Sequence, residues 1–282
     1  MDAERILSAF PERLVGSRPG AQVAVRERGT ADAGASLVLL HGISSSAASW
    51  LQSVQALPQS QHVVAWDAPG YGQSTPLAPA EPTAADYAQR LHETLQLLGV
   101  QRCVLVGHSL GALMACAYAA REQKIDVRRV VLISPARGYG NNAVDAERVR
   151  RERTQALQTL GVAGLAARID QRLLSANASD EARAWVRWSA ARLHPEGYLQ
   201  AVQMLCGSEL AAVPAGIPVE VHCGDADVAT PPVACEQAAR ALGASFSLVA
   251  GAGHASPVEQ AAAVAALLAA ALQQARGENK NG

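Results

Sequence analysis

The chain has 282 residues, 49% of them hydrophobic, which suits one large domain with a sizeable core and is too apolar for disorder. Its 24 basic residues face 25 acidic ones for a net charge of -1, so the footprint of a nucleic-acid-binding protein is missing. The five cysteines, Cys103, Cys116, Cys206, Cys223 and Cys235, stand singly with no C-x-x-C pair, and they read as buried thiols.

The opening MDAERILSAF carries acidic residues and no long apolar run, so it does not read as a secretion signal and a cytoplasmic address is expected. Short apolar runs then alternate with longer helical stretches. Strands are expected over 23–27, 37–40, 63–66, 104–106, 130–133, 219–223 and 246–249. Helices are expected over 83–98, 110–120, 232–242 and 258–275, the first with Thr83 as N-cap, Asp86 in the capping-box position and Gly99 as stop. This alternation predicts an α/β fold, a mostly parallel central sheet flanked by helices. From 137 to 209 strand character disappears, and the chain turns helical and arginine-rich around EARAWVRWSAARL. That stretch is expected to be a helical cap inserted into a core made of 1–136 and 210–282. The apolar run 261–272 is far shorter than the ~20 residues that span a bilayer, so no membrane association is expected. Only two lysines occur, Lys124 and the tail residue Lys280, which argues against Schiff-base chemistry and a phosphate loop.

At VLVGHSLGALMACAYAA a strand pattern gives way to a helix pattern, and Ser109 sits at the turn between Gly107 and Gly111. Small flanking residues let such a turn hold its serine on strained backbone at the C-terminal end of the sheet, where open α/β sheets bind ligands. The following helix directs N–H groups and partial positive charge at the same place. A serine hydroxyl needs a base and the base an orienting acid. His254, in the glycine-rich loop AGAGHASPVE, is the candidate base; VHCGDADVATPP offers two acids, Asp225 and Asp227.

In order and spacing, LLHGISSS, WDAPGYGQS, GHSLG, GDADVATPP and GAGH resemble the α/β-hydrolases over nearly the whole chain. The resemblance implies the α/β-hydrolase fold with a helical cap. It selects Asp227, the fourth residue of G-x-x-D, over Asp225, and gives the catalytic order Ser109, Asp227, His254. It also implies an oxyanion hole from the backbone N–H groups of Ile43 and Leu110. His41 is expected to brace the loop before Ile43. Trp50, Tyr71 and Met114 are candidate pocket residues, though a core role suits Trp50 and Met114 at least as well and Tyr71 stands in a turn that reads as structural; Arg168, Arg183 and Arg187 of the cap are candidate carboxylate receivers, though a solvated helix face suits most of them better. His62, His92, His108, His194 and His222 show no ligand pattern, and neither a metal nor an organic cofactor is expected.

The serine excludes the aspartate-based dehalogenases and epoxide hydrolases of the same fold. Enol-lactonases and small carboxylesterases are the resembled members, implying hydrolysis of a small-molecule carboxylic ester or lactone. Carbon-carbon bond hydrolysis of vinylogous diketones shares the same triad, and a ligand-binding receptor on a hydrolase scaffold is the reading of another class. The sequence leaves the oligomeric state open.

Overall fold

In the computed structural model, which describes residues 3–31, 34–121 and 124–277, the apolar runs pair into one eight-stranded sheet. The strands are β1 Glu12–Val15, β2 Val23–Arg28, β3 Ser36–Leu40, β4 Val63–Trp66, β5 Arg102–His108, β6 Asp126–Ile133, β7 Val219–Gly224 and β8 Ser245–Val249. Their order is β1-β2-β4-β3-β5-β6-β7-β8, antiparallel from β1 to β2 and from β2 to β4, and parallel throughout the rest. Parallel strands need crossovers that cover both faces, so their sequences are apolar without a break. All five residues of β3 are buried; Val38 and Leu40 join one core with Val64 and Trp66, while Leu37 and Leu39 join the opposite core with Val63 and Val106.

Helix Ala84–Leu97 begins in a capping box: Thr83 N–H donates to Asp86 Oδ2 at 2.7 Å, and Asp86 N–H donates to Thr83 Oγ1 at 3.4 Å. Two expectations change. Strand β1 carried no readable signal, since only Val15 of its four residues is buried. The single helix expected over 258–275 is instead two, Ser256–Glu259 and Ala261–Gly277, because Gln260 leaves helical geometry (φ -123, ψ 52) and turns its side chain to the Gly251 carbonyl at 3.0 Å. Lys280 lies outside the described residues. Among the described residues no helix is long and apolar enough to cross a membrane.

Between β6 and β7 stand the helices Ala143–Ala166, Asp170–Leu173, Asp180–Ala190 and Pro195–Gly207, the first kinked at Gly161 (φ 62). They form a helical cap, entered and left beside the isolated bridge Gly138↔Glu209. Polar hooks hold it down. Trp185 Nε1 donates to the Ala48 carbonyl at 3.2 Å, Ser46 and Ser189 hydroxyls meet at 2.7 Å, and Gln200 Nε2 donates to the Leu77 and Pro79 carbonyls at 2.7 and 2.9 Å.

One close approach between cap and core is backbone on backbone. A Cβ on Gly197 would run into the Gly70 carbonyl, and one on Gly70 (φ +83) would lie 2.5 Å from Gly197 Cα. Gly197→Ala should therefore destabilise the protein by about 2–3 kcal/mol through overpacking, read as a lower urea midpoint. Gly207→Ala, where a Cβ meets nothing, should stay within about 1 kcal/mol of the parent.

Candidate active site

Strand β5 ends at His108 and helix Leu110–Ala120 starts two residues later, which forces Ser109 to φ 53, ψ -116. Such backbone costs a non-glycine residue roughly 1–3 kcal/mol and persists only where its surroundings fix it. Here Ser109 N–H donates to the Ile133 carbonyl at 3.0 Å, and its own carbonyl accepts from Ala112 and Ala136 N–H, each at 3.0 Å. Both flanking glycines are required by contact. A Cβ on Gly107 would lie 2.5 Å from the Gly111 carbonyl oxygen, and one on Gly111 would strike the Leu40 carbonyl of β3.

Asp227 follows β7 and is 3% exposed; His254 follows β8 and is 4% exposed. Their side chains meet, His254 Nδ1 lying 2.9 Å from Asp227 Oδ2. The other carboxylate oxygen accepts from Ala229 and Thr230 N–H at 2.8 and 2.9 Å, and the Thr230 hydroxyl donates to Oδ2 at 2.9 Å. Burial alone would raise the Asp227 pKa; the hydrogen bond and charge of His254, with the Thr230 amide, outweigh it and hold the carboxyl well below the usual range. With Nδ1 committed as donor to Asp227, Nε2 of a neutral His254 is left as an acceptor. Asp225 is exposed and accepts instead from Ala252 N–H at 3.2 Å.

Two residues that sequence reasoning passed over fix the His254 loop. His108 Nε2 donates to the His254 carbonyl at 2.9 Å, tying the serine turn to the histidine loop. Glu259 accepts from Gly253 N–H at 2.8 Å, from Ser175 N–H at 3.0 Å and from the Ser175 hydroxyl, joining that loop to the cap. The loop also donates Ala255 N–H to the Leu173 carbonyl at 2.7 Å. The position of His108 inside G-x-S-x-G was its only signal, while Glu259 looked like any solvated residue of a terminal helix.

Ile43 and Leu110 line the same cavity as Ser109 and His254. The Ile43 loop is braced by His41, whose Nδ1 donates to the Gly42 carbonyl at 2.8 Å and whose Nε2 accepts from Ala68 N–H at 3.0 Å. Tyr71 donates its hydroxyl to the Ile43 carbonyl at 2.8 Å and packs its ring on His41. A Cβ on Gly42 would lie 3.0 Å from Ser109 Cβ, so this loop faces the serine directly.

The cavity measures about 890 Å³ between sheet and cap, with Tyr139, Leu165, Trp185, Tyr198 and Leu205 among its walls. Trp50, Tyr71 and Met114 are not in its lining: all three are fully buried in the core, Trp50 edge-on to His108. Nor are Arg168, Arg183 and Arg187. Arg183 and Arg187 close on the buried Asp170, Arg187 donating to its two oxygens at 2.8 and 2.7 Å, and Arg168 is exposed outside the cavity. All five cysteines are free and buried, and among the described residues no cluster of histidine, cysteine and carboxylate side chains is fit to hold a metal ion.

Residues 37–267 match the family described as the alpha/beta hydrolase family. The chain belongs to that family. A sequence relative is the (E)-2-((N-methylformamido)methylene)succinate hydrolase of Acinetobacter baylyi, 32% identical over 99 residues, 35% of this chain and 37% of that one. The curated relatives matched by sequence are covered over 25% to 37% of their own length. Solved folds are shared far more completely. An esterase from Thermogutta terrifontis superposes with a TM-score of 0.80 at 23% identity, covering 94% of this chain and 99% of that one. The enol-lactonase from Burkholderia xenovorans LB400 gives 0.78 at 22%, covering 93% and 100%.

Burial pushes His41 down to about 4 and, with the adjacent His254, pushes His108 down to about 3, whereas burial raises Asp67 to about 6 against the Ala47 amide. Below about pH 6.5 the unfolded chain binds protons that the two buried histidines refuse, so together they weaken the fold by up to about 3 kcal/mol per pH unit. Asp67 acts the opposite way between about pH 6 and 4, where only the folded chain binds its proton, and offsets about 1.4 kcal/mol per unit. Urea unfolding should therefore show stability falling by about 1.4 kcal/mol per unit from pH 6 to 4. His41→Gln should flatten that slope to nearly zero.

Glu259→Ala strips the partner from three donors. It should cost about 2–3 kcal/mol in urea unfolding and speed amide exchange at Gly253 and Ser175; unchanged exchange at both amides would count against the tie.

Proposed function

We propose that the protein is a serine hydrolase that cleaves a small carboxylic ester or lactone through an acyl-enzyme formed on Ser109. The observation that carries this reading is the buried 2.9 Å pairing of His254 Nδ1 with Asp227, beside a cavity that also holds the strained Ser109. Ser109 Oγ attacks the substrate carbonyl while His254 Nε2 takes its proton. Asp227 keeps the imidazole in the tautomer that leaves Nε2 free and stabilises the imidazolium that forms. The N–H groups of Ile43 and Leu110 bind the developing oxyanion, helped by the unpaired amides of the helix start. The imidazolium then protonates the leaving alcohol or enol oxygen. Water, deprotonated by His254, releases the acid by the same steps in reverse order. The esterase and enol-lactonase among the shared folds support this substrate class.

A fluorophosphonate probe should label the protein at one site, and Ser109→Ala should abolish labelling and lower kcat/KM for 4-nitrophenyl butyrate by at least ~10⁴-fold. Asp227→Asn should cost roughly 10³–10⁴-fold, whereas Asp225→Asn should stay within about threefold. Tight binding of an unmodified ligand without labelling or turnover would instead favour a receptor.

A further inference from the structure

Four arginines line the cavity that holds Ser109 and His254, and they differ in what they already bind. Arg137 donates to Gln237 Oε1 at 3.0 Å. Arg148 pairs with Asp145 at 2.9 Å and Glu152 at 3.3 Å. Arg153, on helix Ala143–Ala166, has like Arg137 a neutral partner, donating to the Tyr198 hydroxyl at 3.3 Å. The guanidinium of Arg172, on the short segment Asp170–Leu173, has neither hydrogen bond nor ion pair among the described residues.

Arg153 and Arg172 line the same cavity from consecutive helices of the cap. Burial first and the charge of Arg153 second depress the Arg172 guanidinium, with the charge of Asp227 acting in the opposite sense, so Arg172 also senses the acid behind His254. Its side chain is exposed, and it contributes to the wall of the cavity between sheet and cap. Two partly desolvated like charges without a carboxylate are an arrangement that an anion relieves. The remaining carboxylates of the wall, Glu152 and Glu209, do not pair with either. A guanidinium fork matches the two oxygens of a carboxylate, and a second guanidinium adds charge and a further donor.

We infer that Arg153 and Arg172 form the specificity site for a carboxylate carried by the substrate, making the natural ester or lactone an anionic one. This rests on the hydrolase reading of Ser109, Asp227 and His254. The carboxylate is held by the cap while the scissile carbonyl meets the serine below it, so the cap positions the substrate as well as covering it.

The test compares 4-nitrophenyl hydrogen glutarate with 4-nitrophenyl butyrate, alongside calorimetric titration with glutarate. The wild-type protein should prefer the anionic ester in kcat/KM. Arg172→Gln and Arg153→Gln should each lower the anionic-to-neutral ratio by about tenfold or more, mainly through KM, and weaken glutarate binding in parallel. Arg168→Gln, exposed outside the cavity, should leave the ratio at the wild-type value. Neutral ester turned over with no anionic preference, and a ratio indifferent to both variants, would overturn the carboxylate site while leaving the hydrolase reading intact. Arginine-dependent glutarate binding without any ester turnover would do the reverse. Inorganic phosphate binding more tightly than glutarate would overturn the assignment to a carboxylate.

Discussion

The whole arrangement depends on forcing a non-glycine residue into φ 53 where β5 becomes a helix. The strain, roughly 1–3 kcal/mol, is tolerated because the turn is fixed from three sides: Ile133 accepts its N–H, while Ala112 and Ala136 donate to its carbonyl. Those bonds require helix Leu110–Ala120 to lie against β3 and β5 more closely than side chains permit. Gly107 and Gly111 are the residues that let it. A sharp turn here has a chemical consequence, because it puts Ser109 on the cavity wall at the very start of that helix.

A second constraint is the loop that carries His254. A histidine on a loop after an edge strand would be free to wander, yet this one is held through backbone and side chain together. Asp227 takes Nδ1, His108 takes the carbonyl, Leu173 accepts the next amide and Glu259 the preceding one. Three of these partners come from different elements: the serine turn, the cap and the short helix Ser256–Glu259. The histidine is thus set relative to the serine and the cap at once, so any movement of the cap on the core reaches the imidazole through Glu259, Ser175 and Leu173.

The mostly parallel sheet and most of its strands were legible in the sequence because a parallel strand buried on both faces writes an unbroken apolar run, as in VLVG or LVLL. β1 was not, since an edge strand with a single buried residue carries no such run. The break at Gln260 was hidden for a related reason, because VEQ runs straight into the alanine-rich stretch that follows and reads as its first turn, while the break goes with the hydrogen bond from Gln260 to the Gly251 carbonyl. In the site, the residues with local signatures could be placed: a serine in a glycine-flanked turn, a histidine after a strand, a carboxylate at a fixed step from a glycine. Trp50, Tyr71 and Met114 lie close in sequence to such signatures, and nothing in sequence distinguishes a side chain that faces the cavity from one that faces the core behind it. Tyr71 shows the difference most plainly, since its hydroxyl is spent on the Ile43 carbonyl.

The arginines of the cap make the same point with charge. Sequence counts them but cannot say which are neutralised, because that depends on which carboxylate each one reaches across helices. Asp170, 1% exposed, needs strong partners to be buried as an anion, and it takes Arg183 and Arg187. Asp145 and Glu152 take Arg148 along the face of one helix. What remains is decided by subtraction: on the cap helices, Arg153 and Arg172 are the cavity-wall guanidinium groups that no carboxylate pairs among the described residues. A cap built only for stability would gain by pairing them or by replacing them with neutral residues. Keeping them charged and unpaired, opposite a serine that the fold strains to present, gives the cavity a polarity directed at a substrate rather than at the protein itself.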